Sequence, residues 1–363
     1  MAAWIRLTRT PGVGPASQRA LLARFGLPEQ IFLARPADLA ACIGEQRALA
    51  LLAGRDTAAE QEALAWDEQP GNAVVTLADA RYPQRLLQSP DPPVLLYVKG
   101  RSELLQAPAL AIVGARNATQ QGCQDATAFA RAFAAGGLCV VSGLAQGVDA
   151  AAHAGALDEP ASTIAVIGTG ADRIYPPSNA ALARRIATLG CIVSELPLGT
   201  APRKENFPRR NRIIAGLALG VLVVEAARTS GALITAKLAG EFGREVFALP
   251  GSIHSPLSKG CHALIRQGAK LVESARDVLE ELHLPVPPAP DQDAVASTPD
   301  ADDAPQDELL AALGHGPVGM DELAGRSALP ADQLLARLTE LELDGLVEQL
   351  PGGRYQRILR APQ

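Results

Sequence analysis

The sequence predicts an α/β protein built on a doubly wound, mostly parallel Rossmann-like sheet, with an N-terminal helical domain and a C-terminal winged-helix domain. Short, continuous apolar segments alternate with helical stretches through the middle of the chain. This alternation is typical of a parallel sheet that helices cover on both faces. Helical periodicity dominates the two ends instead. The predicted strands, in chain order, are residues 110–114, 138–143, 162–168, 191–195, 221–226, 245–250 and 269–272.

A chain of 363 residues exceeds what a single hydrophobic core usually holds. Composition and periodicity divide it into four parts. A stretch rich in Pro and Asp separates the last part from the rest, and such a stretch buries too little apolar surface to become ordered. The parts are a helix-hairpin-helix or SAM-like domain at 1–70, an extended Rossmann-like domain at 71–284, a disordered linker at 285–306 and a winged-helix-like domain at 307–363.

Each end of the chain carries a turn motif. Near the N-terminus, Gly12 and Gly14 form a tight turn, and Pro15 opens a helix. Such a turn can present backbone N–H groups to a phosphate, although packing or protein contact explains it slightly better here. Near the C-terminus, three helices and a Gly-Gly hairpin indicate a winged helix. Its third helix is acidic, which favours protein contact over duplex recognition.

The formal net charge of −6 is unevenly distributed. Residues 285–306 carry five Asp and no cation, and residues 307–363 carry nine acidic and five basic groups. About +3 therefore remains on residues 1–284, the part that could meet a polyanion. The five scattered cysteines predict free thiols in a reducing cytoplasm. Neither a signal peptide nor an apolar run long enough for membrane insertion is seen.

The stretch NFPRRNRIIAG, residues 206–216, follows two further cations and precedes an apolar helix. We interpret its start as a basic loop of a nucleic-acid site. Cations neutralise phosphates, an aromatic ring stacks on a base, and an amide donates or accepts hydrogen bonds. Unstacked bases meet an aromatic face, so single strands are favoured over duplex. Arg212 is equally suited to an internal ion pair. The candidate ligands are Lys204, Phe207, Arg209, Arg210 and Asn211.

Small residues end most of the predicted strands. They allow backbone N–H groups and helix N-termini to approach an anion closely, although tight turns alone would also explain them. Arg116 directly follows the first predicted strand, where its guanidinium could form a bidentate pair with a phosphate. We expect these positions to contribute to the same DNA-binding site. The small residues are Gly114, Gly143, Gly168, Gly170, Ser230 and Gly231.

No cofactor, metal site or catalytic residue is expected. The fingerprint G-x-G-x-x-G is absent after the first strand, and the second strand ends without the carboxylate that binds ribose, so NAD and FAD are disfavoured. Four side chains could nevertheless serve catalysis. We interpret the three carboxylates as organising helix N-termini and loops instead. The four are Asp149 and His153 on one helical face, and Glu195 and Glu225 at strand ends.

Longer blocks then occur in a recognisable order. These are LAIVGAR, VVSGLAQGVDAAAHAGAL, TIAVIGTGADRIYPPSN, IVSELPLGTAPRKENFPRRNRIIAG and VLVVEAARTSGALITAKLAGEFGREVFALPG. Together they resemble the DNA-processing protein A family, also called DprA or Smf, over residues 108–272. The resemblance implies that Arg116 binds phosphate and that Lys204 and Phe207 hold and stack on the strand. Ala115 stands where many relatives have Ser.

The resemblance also implies a function. Members of the family bind incoming single-stranded DNA in the cytoplasm during natural transformation, protect it and load the recombinase RecA on it, and they typically form homodimers through the Rossmann-like domain. The alternative is an enzyme resembling the Rossmann-class nucleotide phosphoribohydrolases. Those carry a P-G-G-x-G-T-x-x-E stretch, whereas the comparable place here reads RTSGALITAKLAGE. A non-enzymatic DNA-binding protein is therefore expected.

Overall fold

The computed structural model describes residues 1–53, 56–285, 308–314, 316–327, 329–350 and 352–358. The predicted linker 285–306 lies almost wholly outside the described residues. The helices are α1 Ala2–Arg9, α2 Pro15–Phe25, α3 Pro28–Leu33, α4 Pro36–Ile43, α5 Glu45–Ala53, α6 Thr57–Asp67, α7 Gln84–Leu87, α8 Gln120–Ala135, α9 Val148–Ala156, α10 Ala180–Leu189, α11 Asn206–Leu217, α12 Ala232–Glu241, α13 Lys259–Arg266, α14 Ala275–Glu281, α15 Glu308–Leu313, α16 Met320–Ser327 and α17 Ala331–Leu343. The strands are β1 Asn72–Thr76, β2 Leu95–Gly100, β3 Ala109–Val113, β4 Cys139–Ser142, β5 Thr163–Val166, β6 Cys191–Ser194, β7 Gly220–Val223, β8 Glu245–Ala248, β9 Lys270–Leu271, β10 Val318–Gly319, β11 Val347–Leu350 and β12 Arg354–Arg357.

The central sheet has nine strands in the order β1-β2-β6-β5-β4-β3-β7-β8-β9. Strands β3 to β9 coincide with the seven predicted strands and pair in parallel. The sequence did not predict β1 and β2, which pair antiparallel with each other, while β2 pairs antiparallel with β6. The helix between them, α7, has only four residues, so these two runs lack the long intervening helical stretch that identifies the other strands.

Both faces of the sheet are buried, as the continuous apolar strands predict. Along β3, Ala111 and Val113 belong to the core on one face, and Leu110 and Ile112 to the core on the other. Successive side chains of a strand point to opposite faces, so an uninterrupted apolar run requires a cover on each side. Helix α11 supplies apolar residues to the first core, and α8 supplies residues to the second.

The N-terminal helices pack against the antiparallel edge of the sheet. Trp4 and Trp66 share a buried cluster with Tyr97 of β2, and the rings of Trp66 and Tyr97 meet edge to face at 5.7 Å. In the glycine turn, Gln18 donates to the Val13 carbonyl at 2.8 Å, and Arg19 is paired with Asp91. Both side chains are thus engaged within the protein, in agreement with the packing interpretation.

The C-terminal domain is a winged helix of α15–α17 with a small sheet in the order β10-β12-β11. Gly352 and Gly353 turn the wing with φ values of +87° and +68°, which an L-residue rarely adopts. In α17, Arg337 forms an ion pair with Glu340 at 2.5 Å. Asp332 and Glu342 are also exposed on this helix, so its surface is acidic. None of the helices within the described ranges is both long and apolar enough to cross a bilayer.

Candidate nucleic-acid interface

A crevice opens at the topological switch point of the sheet, where the order of the strands reverses. The chain proceeds from β3 to β4 on one side and later returns to β7 on the other side of β3. In open α/β sheets, ligands bind at the carboxyl ends of the strands beside such a point. A cavity of about 600 Å³ lies there, bordered by residues that follow β3 and β7 and by α11. Among the predicted residues, its lining includes Gly114, Arg116, Lys204, Phe207, Arg210, Asn211, Ser230 and Gly231.

The predicted basic loop is largely the start of α11. This helix begins at Asn206, and Pro208 lies in its first turn, where a missing N–H costs no helical hydrogen bond. Helical spacing sorts the side chains, because residues three, four and seven apart share a face. One face lines the cavity and includes Phe207, Arg210, Asn211 and Ile214. The cations of this stretch therefore lie in different environments, because helical geometry fixes which side chains share a face.

Two aromatic rings and a guanidinium lie together in the lining of the cavity. The ring of Phe207 lies 5.5 Å from that of Tyr175, and the Arg116 guanidinium carbon is 5.9 Å from the Phe207 ring centroid. Tyr175 is 41% exposed and also lines the cavity. Sequence reasoning missed Tyr175 as a site residue. The sequence signal that could have indicated Tyr175 is its position in the loop after the third predicted strand, five residues beyond Gly170.

Arg116 and Lys204 are the exposed cations of the cavity lining. Within the part of the chain that the structure describes, neither takes part in a hydrogen bond or a salt bridge. Asn211 is nearby on α11, and its side-chain amide donates to the Gly231 carbonyl at 3.4 Å. Among the described residues, the two positive charges at the cavity thus have no acidic side chain at ion-pair distance, an arrangement suited to an anionic ligand.

Arg210 is placed differently from the expectation that it contacts phosphate. Its side chain is buried, and its guanidinium donates to the carbonyls of Gly143, at 2.5 Å, and Val166. Burial lowers the pKa of Arg210 to about 10, so it remains charged at neutral pH. It forms part of the cavity floor and ties the ends of β4 and β5 to α11. The sequence alone does not distinguish the buried Arg210 from its exposed neighbour Arg209.

The opposite side of α11 forms a buried ion cluster. Glu195 is paired with Arg212 and, at 3.1 Å, with Arg209, while Arg212 also reaches Asp91 at 3.2 Å. The side chains of Glu195 and Arg212 are only 5% and 9% exposed. Arg212 thus forms the internal ion pair, one of the two roles that the sequence left open. Glu195 partners arginines rather than a helix N-terminus, and Arg209 is not part of the cavity lining.

Three of the predicted glycines have a packing role. A Cβ on Gly143 would lie 2.2 Å from the Arg210 guanidinium, and one on Gly168 would lie 2.9 Å from the Phe207 ring. The N–H of Gly143 donates to Asp149 at 3.1 Å, and that of Gly170 donates to the Thr200 carbonyl at 3.0 Å. Both N–H groups are thus engaged within the protein, whereas the sequence-based interpretation expected them to approach a bound anion. Gly168 instead allows the close approach of Phe207.

The candidate catalytic groups hold loops. Asp149 accepts from the N–H groups of Gly143 and Ala145, and His153 accepts from that of Leu144 at 3.3 Å. Burial lowers the pKa of His153 to about 3, so the ring is neutral and bonds to Thr163 through its other nitrogen. Both side chains order the connection that follows β4. The organising role predicted for Asp149 is thereby confirmed.

Glu225, at the end of β7, serves a helix N-terminus in the same way. It accepts from the backbone N–H of Thr119 at 3.0 Å and from its hydroxyl at 2.7 Å, and Thr119 is the N-cap of α8. Burial raises the pKa of Glu225. Across the described ranges, no three His, Cys, Asp or Glu side chains are grouped so that they could hold a metal ion.

Family models match all three folded parts of the chain. The one described as DNA recombination-mediator protein A matches residues 73–283, more than half of the protein. The chain belongs to this family. Two further models of the same family, for the DprA-like N-terminal HHH domain and the DprA winged helix domain, match residues 1–63 and 287–353. The resemblance stated from the sequence blocks is confirmed.

Relatives in the DNA recombination-mediator protein A family are similar over long stretches. Protein Smf of Escherichia coli is 42% identical over 307 residues, which is 83% of this chain and 81% of that protein. DNA processing protein DprA of Streptococcus pneumoniae is 48% identical over 206 residues, which is 57% of this chain and 73% of that protein.

Two solved structures share the fold. The X-ray structure of DNA processing protein A from Streptococcus pneumoniae has a TM-score of 0.70 at 39% identity, and the match covers 77% of this chain and 98% of that one. A structure of DNA processing protein A from Helicobacter pylori, titled for its single-stranded DNA binding mode, has a TM-score of 0.53 at 32% identity. That match covers 58% of this chain and 95% of the other.

Proposed function

We propose that the crevice between the ends of β3 and β7 binds single-stranded DNA. The observation that carries this proposal is the group formed by Arg116, Lys204 and Phe207 at one cavity. Within the described residues, the two exposed cations of the cavity lining form no salt bridge, and Arg116 lies 5.9 Å from the ring of Phe207, which pairs with Tyr175. Cations track the phosphates of a strand, and aromatic faces stack on its bases. The similarity to the Helicobacter pylori protein, whose title names single-stranded DNA binding, supports the same ligand class.

The shape of the site favours a single strand over a duplex. The aromatic pair Tyr175 and Phe207 lies at a cavity rather than on a convex surface. A base must leave its stack to reach such rings, which costs less for an unpaired base. Arg210 also lines the cavity, but its guanidinium interacts with the carboxyl of Asp149 in the same lining, so the charge available to a ligand is that of Arg116 and Lys204.

Membership of the family supports a proposal for the wider role. We propose a cytoplasmic protein that protects incoming single strands and loads RecA on them during natural transformation or recombination, acting as a homodimer through the Rossmann-like domain. The role is one of binding rather than catalysis, since the carboxylates Asp149, Glu195 and Glu225 are engaged in holding loops, ion pairs and a helix cap. RecA filament assembly on oligo-dT, with and without the protein, tests the loading step.

Replacing Phe207 by leucine tests the stacking contact while leaving every charge in place. Base stacking contributes about 1–3 kcal/mol per base, so we expect the affinity for oligo-dT to fall about tenfold. Fluorescence anisotropy with a labelled oligo-dT measures the change. Phe25→Leu is the matched control, since Phe25 is half-buried in the N-terminal domain away from the cavity. Equal affinities of the two variants would contradict the assignment of Phe207.

A further inference from the structure

The winged-helix domain contacts the sheet domain at one end of α8. Glu348, on β11, accepts a hydrogen bond from the backbone N–H of Gln120 at 2.8 Å, and the N–H of Gln121 also interacts with this carboxylate. Glu348 is half-buried at the contact. Gln120 is the first residue of α8, so a carboxylate of the C-terminal domain sits on the positive end of this helix.

The contact completes the capping of α8. The first N–H groups of a helix have no partner within the helix and must find one elsewhere. Glu225 takes the N–H of Thr119, and the Thr119 hydroxyl takes that of Gly122 at 2.9 Å. The intervening Gln120 and Gln121 are served by Glu348. The sheet domain thus supplies one carboxylate to this helix end, and the winged-helix domain supplies the other.

This helix end adjoins the crevice. The connection between β3 and α8 carries Arg116, which lines the cavity, only four residues before Gln120. The docked domain is acidic, since residues 307–363 carry nine acidic and five basic groups. A net negative domain docked at this helix end, four residues along the chain from Arg116, opposes the approach of a polyanion and attenuates the positive field of the crevice.

We propose that the N-terminal end of α8 is the docking surface of this chain's own winged-helix domain, that Glu348 holds the domain there, and that docking lowers the affinity of the crevice for DNA. The effect on DNA affinity rests on the proposed function, whereas the docking surface and the role of Glu348 do not. DNA binding and release of the winged-helix domain are then linked, because a ligand that prefers the undocked state shifts the population toward it.

Replacing Glu348 by alanine in the full chain tests the docking contact. Amide hydrogen exchange at Gln120 and Gln121 is expected to become faster, because both N–H groups lose their partner. The affinity for oligo-dT is expected to rise about two- to fivefold, the size of effect that one helix-capping interaction has on an equilibrium. Glu342→Ala is the matched control. It removes the same charge from an exposed position on α17 and should change neither quantity.

Replacing Gln120 by proline removes the donor from the other side of the contact. Proline is well tolerated at the first position of a helix, and Thr119 before it has φ −68° and ψ 162°, the extended backbone that a residue before proline adopts. This variant should also raise the affinity. Combined with Glu348→Ala, it should add nothing further, because the hydrogen bond that it removes is one of those that Glu348→Ala already removes.

The outcomes separate the two parts of the proposal. Unchanged exchange at Gln120 in the Glu348 variant overturns the docking surface. Equal rises in affinity for the Glu348 and Glu342 variants overturn the coupling to DNA, because charge alone would then explain the effect. Failure of the wild-type protein to bind oligo-dT overturns the proposed function and the coupling with it, while the exchange experiment still decides whether the domain docks at α8.

Discussion

Replacing Arg116 by alanine is expected to lower the affinity for oligo-dT by about tenfold or more. The side chain is exposed at the cavity and, within the described ranges, engages no acidic partner, so its removal leaves no buried group unsatisfied. A hydrogen bond to a charged group contributes about 1.5–3 kcal/mol, and 1.4 kcal/mol corresponds to a tenfold change. Lys204→Ala should act in the same direction for the same reason. Fluorescence anisotropy with a labelled oligonucleotide at moderate salt measures both.

Matched controls distinguish the site from general charge. Arg131 is exposed on α8 outside the cavity lining, and Lys237 is exposed on α12 in an ion pair with Glu241. Arg131→Ala and Lys237→Ala should leave the affinity within about twofold. Removing one phosphate-binding cation from the site should also reduce the salt slope by about 0.7 for a single strand. Site and control variants that weaken binding equally would contradict the assignment.

Replacing Glu195 by alanine is expected to destabilise the sheet domain by about 3 kcal/mol. The carboxylate is 5% exposed, and its removal leaves the buried Arg212 with Asp91 as its remaining acidic partner. Breaking a buried pair typically costs about 3–5 kcal/mol, because one charge stays buried without full compensation. Urea unfolding followed by circular dichroism measures the change in the free energy of unfolding.

An exposed ion pair provides the control for this variant. Glu103 pairs with Arg101 at 2.9 Å, and its side chain is 66% exposed. Glu103→Ala should therefore cost less than about 1 kcal/mol. A Glu195 variant as stable as the Glu103 variant would show that the cluster beneath α11 contributes no more than a surface pair. It would also remove the distinction between cations that serve the fold and those that face the cavity.

The fold could be predicted from the sequence wherever apolar strands alternate with helices. All seven parallel strands were found this way, since burial on both faces leaves a continuous apolar run. The antiparallel β1 and β2 were missed. They join the sheet at one edge, and only the single-turn helix α7 lies between them, so no long helical stretch marks them as strands of the kind of unit that makes the other strands recognisable.

The candidate site could be located but not resolved residue by residue. Glycine-rich strand ends and the cations of residues 203–212 pointed to the crevice whose lining includes Arg116, Lys204 and Phe207. The environment of each cation depended on a helix starting at Asn206, which turns Arg210 into the core and Arg212 toward Glu195. The contribution of Tyr175 depended on tertiary contact with Phe207, from which it is 32 positions away in the sequence, and no local pattern reveals such a contact.

The most direct test of the central proposal compares oligo-dT with a duplex of equal length in a salt titration of the wild-type protein. Binding at this crevice predicts tighter association with the single strand. It also predicts a linear fall of log K with log salt, with a slope of about −0.7 for each phosphate bound. Duplex binding as tight as single-strand binding, or an affinity for oligo-dT that salt does not change, would contradict the proposal that this crevice holds a single strand through its cations and aromatic rings.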